Sequence, residues 1–130
     1  MRTLKVGIAS YEEMKARTLA IARHEHRVED DEPKIWFTST ESFAKVLSAR
    51  NRQLLGIIDG QAPGSLAELA KITGRAKSNL SRTLKTMERY GIIRLQRGER
   101  GQVRAEVVAD QVELALPLRT TKEERRKAGR

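Results

Sequence analysis

Between Lys71 and Arg104 ten lysines and arginines stand against two acids, Glu88 and Glu99. The whole chain carries 26 basic and 17 acidic side chains, net +9, yet residues 1–47 balance eight against eight. Almost all the excess charge therefore sits in one stretch, whereas a solvated surface of mixed charge would spread it. Within that stretch the side chains with recognition chemistry are Arg75, Lys77, Ser78, Asn79, Ser81, Arg82, Lys85, Thr86 and Arg89, then Arg97 and Arg100. Guanidinium and ammonium groups neutralise phosphate oxygens, Arg pairs bidentately with guanine, and Asn pairs with adenine. Spacing and type together suit a polyanion that also presents base edges.

Other chemistries find little support. There is no cysteine, so disulfides and thiolate metal sites are excluded, and a reducing compartment is expected. The only histidines, His24 and His26, are two apart; on a helix they point about 200° from one another and do not share an ion. His24-Glu25-His26 lacks the four-residue histidine spacing of zinc hydrolases, and no serine has an evident base. No enzyme, metal or cofactor is expected. Aromatic residues make up 4%, too few for stacking along a single strand. No apolar run reaches membrane-span length and no signal-peptide pattern opens the chain, so a cytoplasmic, nucleoid-associated protein is expected.

The elements that would hold these residues read directly. Gln61-Ala62-Pro63-Gly64 is a turn, and Ser65 with Glu68 forms a capping box for a helix burying Leu66, Leu69 and Ala70. Thr73-Gly74 ends it, because glycine supplies the left-handed residue of a sharp turn. A second helix starts near Ala76 or Lys77 and runs to Tyr90. At about 100° per residue, Leu80, Leu84 and Met87 share one face, while Ser78, Arg82, Lys85 and Arg89 occupy the opposite one, with Asn79 and Thr86 beside them. Gly91 stops the helix. Residues 92–96 and 102–107 both alternate, and Arg97-Gly98-Glu99-Arg100-Gly101 between them makes a flexible basic hairpin tip. Helix, turn, helix and basic hairpin form a winged helix-turn-helix and point to double-stranded DNA. Residues near the start of the second helix would reach base edges, and Arg75, Lys77, Ser81, Lys85, Arg89 and the wing arginines would meet phosphates. An ordinary basic surface helix is the bland alternative; the adjacent wing, repeating the same chemistry, disfavours it.

The remaining chain builds around this unit. Leu4, Val6 and Ile8 alternate as a strand. Ser10 with Glu13 caps a helix expected to reach about Arg27, with a stripe of Tyr11, Met14, Thr18 and Ile21 flanked by Leu19 and Ala22. That helix either packs on its own domain or serves a dimer or partner; both readings stand. Residues 29–32 are acidic and end at Pro33, a linker. Ile35-Trp36-Phe37 is a short apolar stretch with Trp36 as core anchor, and Thr38 with Glu41 would cap a helix carrying Phe43, Val46 and Leu47. A buried central helix begins at Ser48. After the wing, Val112, Leu114 and Leu116 alternate as a strand that could pair with Leu4–Ile8, within one chain or across a dimer. The expected fold class is α+β, mainly α: an N-terminal strand-helix extension over residues 1–33, the winged helix-turn-helix over 34–118, and a basic disordered tail over 119–130.

Leu47-Ser48, Leu54-Leu55, Ser65-Leu66-Ala67-Glu68-Leu69-Ala70, Gly74 and the run Ser78-Asn79-Leu80-Ser81-Arg82-Thr83-Leu84-Lys85-Thr86-Met87-Glu88-Arg89-Tyr90-Gly91-Ile92-Ile93 resemble the winged helix-turn-helix of MarR- and ArsR-type regulators over about residues 43–108. With the opening strand, the Ser10–Arg27 helix and the closing strand, the chain looks like a family of small prokaryotic predicted transcriptional regulators related to MarR proteins. Some members are encoded beside a toxin. The resemblance implies a dimer that binds a palindromic operator and represses, often at its own promoter. It places base contacts on Ser78, Asn79 and Arg82, and backbone contacts on the helix flanks and on Arg97 and Arg100. The alternative it carries is an antitoxin that neutralises a toxin through its N-terminal region and binds its own operator. One departure is Ala76, where the superfamily usually has a Ser or Thr cap.

Overall fold

The computed structural model of the chain describes residues 2–30 and 32–119. The expected disordered tail lies, but for Arg119, outside them. The fold is α+β and mainly helical: β1 (Thr3–Ile8), α1 (Tyr11–Ala22), β2 (Ile35–Phe37), α2 (Thr40–Val46), α3 (Ala49–Gln61), α4 (Leu66–Thr73), α5 (Lys77–Arg89), β3 (Ile93–Arg97), β4 (Val103–Val107) and β5 (Gln111–Ala115). α4, α5 and the antiparallel β3–β4 hairpin form the helix-turn-helix and wing.

The core forms where the apolar faces of α3, α4 and α5 meet the hairpin. Leu54, Ile58, Leu69, Leu80, Leu84, Met87, Ile92 and Ile93 are buried together, with Leu4, Leu47, Leu66, Tyr90, Leu95 and Val107 packed around them. Only Leu54 and Ile58 of α3 are fully buried, so that helix is one-sided rather than central. Among the described residues, four of the five helices begin at a serine whose side chain accepts from the N3 amide: Ser10, Ser39, Ser48 and Ser65. This satisfies an orphan donor at each start. The α2 cap is Ser39 with Ser42, one residue beyond the expected Thr38 and Glu41. Both pairs fit the spacing, and only the serine pair makes reciprocal bonds, at 3.0 and 3.3 Å.

The strand of the N-terminal extension pairs within the chain. β1 is central in a parallel sheet of order β2-β1-β5, with Val6 opposite Ile35 and Leu114. Residues 3–37 therefore make a β-α-β unit, in which the apolar stretch after the linker is the second strand. The Trp36 ring lies over Gly7 of β1; a Cβ there would come within 2.4 Å of it. α1 ends at Ala22, five residues short of the expected Arg27. His24 adopts φ 60°, and the amides of His24 and Glu25 turn back to the carbonyls of Ile21 and Ala20, the bonding of a Schellman turn. The inward residues of α1 are Met14, Arg17 and Ala20, whereas Tyr11, Thr18 and Ile21 of the expected stripe, and Leu19 beside it, are exposed. Arg17 sits 5.1 Å from the Trp36 ring centroid and bonds Glu32 at 2.8 Å, and Glu32 also meets His26 at 3.1 Å. No helix among the described residues is long and apolar enough to cross a membrane.

Candidate nucleic-acid interface

Local sequence fixes the start of the site. The Ser65 side chain caps α4 at 3.1 Å, and Glu68 reaches back to the Gly64 amide at 2.9 Å. Gly74, at φ 73°, turns the chain, and its amide bonds the Ala70 carbonyl. Ala76 then takes the extended conformation of a helix cap, φ −64° and ψ 139°, with no side-chain bond to the first turn of α5.

α5 is amphipathic in the sense its sequence requires. Leu80, Leu84 and Met87 are buried, while Lys77, Ser78, Asn79, Arg82, Lys85 and Arg89 are exposed. Ser81 and Thr86 are half-buried along the two sides of that ridge. The Thr86 hydroxyl donates to the Arg82 carbonyl at 3.0 Å and accepts from Arg89 at 3.2 Å, so it serves the helix itself.

Two grooves flank the ridge. On the wing side, Ser81, Lys85 and Arg97 line a cavity of about 160 Å³ floored by Leu66, Leu84, Leu95 and Val103. Glu88 on that side accepts from the Leu95 amide at 3.3 Å, joining helix to hairpin. On the other side, Asn79, Arg82, Thr83 and Thr86 face Lys45, Val46 and Asn51 across about 350 Å³. Lys45 and Asn51 are side chains of this second groove that the sequence reading missed. They belong to α2 and α3, and only the tertiary packing of these helices beside α5 brings them there.

The wing tip is a bonded turn rather than an open flexible loop. The Gly98 amide donates to the Gln102 carbonyl at 2.7 Å, and the Arg100 amide donates to the Gln102 side chain at 3.0 Å. The Gln102 amide group lies over Gly98, where a Cβ would approach it within 2.4 Å. Arg97 and Arg100 are exposed there. Along the hairpin's outward face Glu106 binds Arg94 at 2.8 Å and Gln96 at 3.3 Å, and Gln96 accepts from Arg104 at 2.6 Å. The Arg94 guanidinium holds the Glu106 carboxyl below the usual carboxylate range.

Arg75 stands apart from the other basic residues of the set. It is half-buried, and its guanidinium donates to Asn51 Oδ1 and to the Arg50 carbonyl, both at 3.0 Å. Burial, then the nearby Arg50 charge, lowers its pKa below the ordinary guanidinium value. The structure thus brings Lys77, Ser78, Asn79, Ser81, Arg82, Lys85, Thr86, Arg89 and Arg97 around one ridge and its two grooves, sets Arg100 on the tip of the wing, and turns Arg75 towards α3.

A solved structure described as the crystal structure of the predicted DNA-binding transcriptional regulator from E. coli is similar at 25% identity, over 73% of this chain and 84% of that chain, with a TM-score of 0.44. No curated protein matches the chain. The sequence model of the family described as HVO_A0114 matches residues 46–114. That match spans more than half of the 130 residues, from the end of α2 through the wing into β5, and the chain belongs to the HVO_A0114 family.

Proposed function

We propose that this chain is a sequence-specific regulator of transcription that binds double-stranded DNA, as a two-fold homodimer repressing its own promoter. The observation that carries the reading is the α5 ridge: one face closes the core while the opposite face presents Ser78, Arg82, Lys85 and Arg89, with a basic wing beside it. A helix of this kind fits a major groove. Ser78, Asn79 and Arg82 read bases; Lys77, Ser81, Lys85 and Arg89 meet phosphates, and Thr86 orients Arg89. Arg97 and Arg100 follow the backbone or the minor groove. In this reading the protein works by binding alone, without cofactor or catalysis, on the nucleoid in the cytoplasm. In a two-fold dimer, the half-sites lie about 10 bp or a multiple of it apart.

The test is fluorescence anisotropy on the DNA upstream of its own gene, beside a scrambled duplex, across a salt series. A preference of about 10³-fold or more with a steep salt slope is expected. Weak and equal binding to both duplexes removes the autoregulator reading.

A second reading, the antitoxin, draws support from α1. Tyr11, Leu19 and Ile21 are exposed on a helix with no fully buried side chain, a surface suited to another protein. A co-transcribed neighbouring product that co-purifies with the chain, and is released by Leu19→Glu, is its test; no complex with that product sinks it.

A further inference from the structure

Ala76 leaves the first turn of α5 without a side-chain cap. The start of the candidate recognition helix thus lacks the side-chain acceptor that usually satisfies one of its orphan amides. The residue before the cap supplies a different device. Arg75 Nη1 donates to Asn51 Oδ1 and Nη2 donates to the Arg50 carbonyl, each at 3.0 Å, across 24 and 25 residues of chain. Asn51 is itself held: its amide nitrogen donates to the Val46 carbonyl at 2.9 Å and to the Lys45 carbonyl at 3.3 Å, and its backbone N–H donates to Ser48 Oγ at 3.2 Å. With both amide hydrogens directed at carbonyls, Oδ1 is left to face the guanidinium, so the network admits one orientation of the side chain. From the other direction, the Arg75 amide donates to Thr73 Oγ1, which donates to the Leu69 carbonyl. An unbroken chain of bonds thus runs from the end of α2, through the start of α3, to the turn before α5.

We infer that Arg75 is a positioning residue: it ties the uncapped start of α5 to α3 through Asn51, and so fixes where Asn79 and Arg82 stand. The inference rests on the DNA-reading role proposed above. The same tether shapes the second groove, since Lys45, Val46 and Asn51 form its far wall opposite Asn79 and Arg82. The planar guanidinium spans two acceptors at once, and a lysine, a point charge on a flexible stem, does not reproduce that fork.

Arg75→Ala and Arg75→Lys separate this role from a phosphate contact. A tether predicts that both variants lower the ratio of specific to scrambled-duplex affinity by roughly tenfold, the scale of one charge-assisted hydrogen bond, with the salt slope unchanged. A phosphate contact predicts a slope shallower by about 0.9 in Arg75→Ala, equal weakening on both duplexes, and rescue by Arg75→Lys; that result overturns the inference. A general loss of folded protein lowers both affinities in proportion and leaves their ratio alone, which also overturns it. Amide exchange in the free protein supplies a readout independent of DNA. The Leu80 and Ser81 amides exchange faster in both variants and in Asn51→Ala, and the Arg75→Ala, Asn51→Ala double variant is no faster than either single one. Unchanged exchange rates overturn the tether. If the wild-type protein prefers no duplex, the DNA-reading role fails, and the exchange measurement still decides whether Arg75 holds the helix start.

Discussion

Arg82 occupies the part of α5 turned furthest from Leu80, Leu84 and Met87, one turn beyond Ser78 and exposed on the groove that Lys45 also lines. An arginine there can form a bidentate pair with guanine. Arg82→Ala should cost roughly 1–3 kcal/mol of specific binding and relax the preference at one base position. Competition with single-base operator variants reads both, and intact affinity and preference would mean the ridge is misassigned. Arg97→Ala or Arg100→Ala should instead weaken every duplex alike and reduce the salt slope by about 0.9 each. The types and facing of these residues were legible in the sequence because helical periodicity is local: at about 100° per residue, Arg82 lies about 200° and Lys85 about 100° from Leu84 whatever surrounds them. The same reasoning misplaced the inner face of α1. Its apolar Tyr11 points out, and Arg17 points in, because a long basic side chain packs its stem inward when a ring and a carboxylate await it, here Trp36 and Glu32.

At the scale of elements, the start of α5 and the face of the wing carry the next tests. Ala76 already has the extended backbone of a helix cap, so Ala76→Ser adds an acceptor to a geometry that needs no adjustment. It should stabilise the fold by about 1 kcal/mol in urea unfolding, with an unchanged m-value. The wing's outward face responds to pH. Glu106 is more acidic in the folded chain than in the unfolded one, chiefly because Arg94 bonds it. Its stabilisation is therefore present above the unfolded carboxylate pKa and is lost as pH falls through the lowered folded value. Relative to Glu106→Gln, the wild-type urea midpoint should be higher at neutral pH, with the gap closing on acidification; a gap that widens in acid contradicts this. Capping serines at Ser10 and Ser65, and the hairpin strands, could be read ahead because each depends on four or five consecutive residues. β2 could not: three residues are too few for a periodic signal, and what makes them a strand is the edge of β1.

The whole molecule depends on how the parallel sheet joins the winged unit. Leu4 of β1 packs against the main core. Phe37, 1% exposed at the end of β2, stacks on Tyr90 at 4.1 Å and meets Phe43 edge-on at 5.2 Å. Tyr90 is the C-cap of α5, so the β-α-β unit grips the far end of the candidate recognition helix, while α3 holds its start. β5 returns from the wing to pair with β1, and the Asp110 amide bonds the Arg2 carbonyl at 2.8 Å, closing the chain on itself. Pairings of such long sequence separation are invisible to a reading of local pattern, which had left β1–β5 open between one chain and two. They make a definite thermodynamic expectation. Trp36 reports on the sheet and far-UV circular dichroism reports chiefly on α3, α4 and α5; if the sheet is fused to the core, the two probes should give one coincident urea transition. Phe37→Ala should lower its free energy by about 3–5 kcal/mol while keeping the two probes together, because the ring belongs to both parts. A Trp36 transition that precedes the loss of helix, in the wild type or the variant, would mean that residues 3–37 unfold on their own and that α5 is not held at Tyr90.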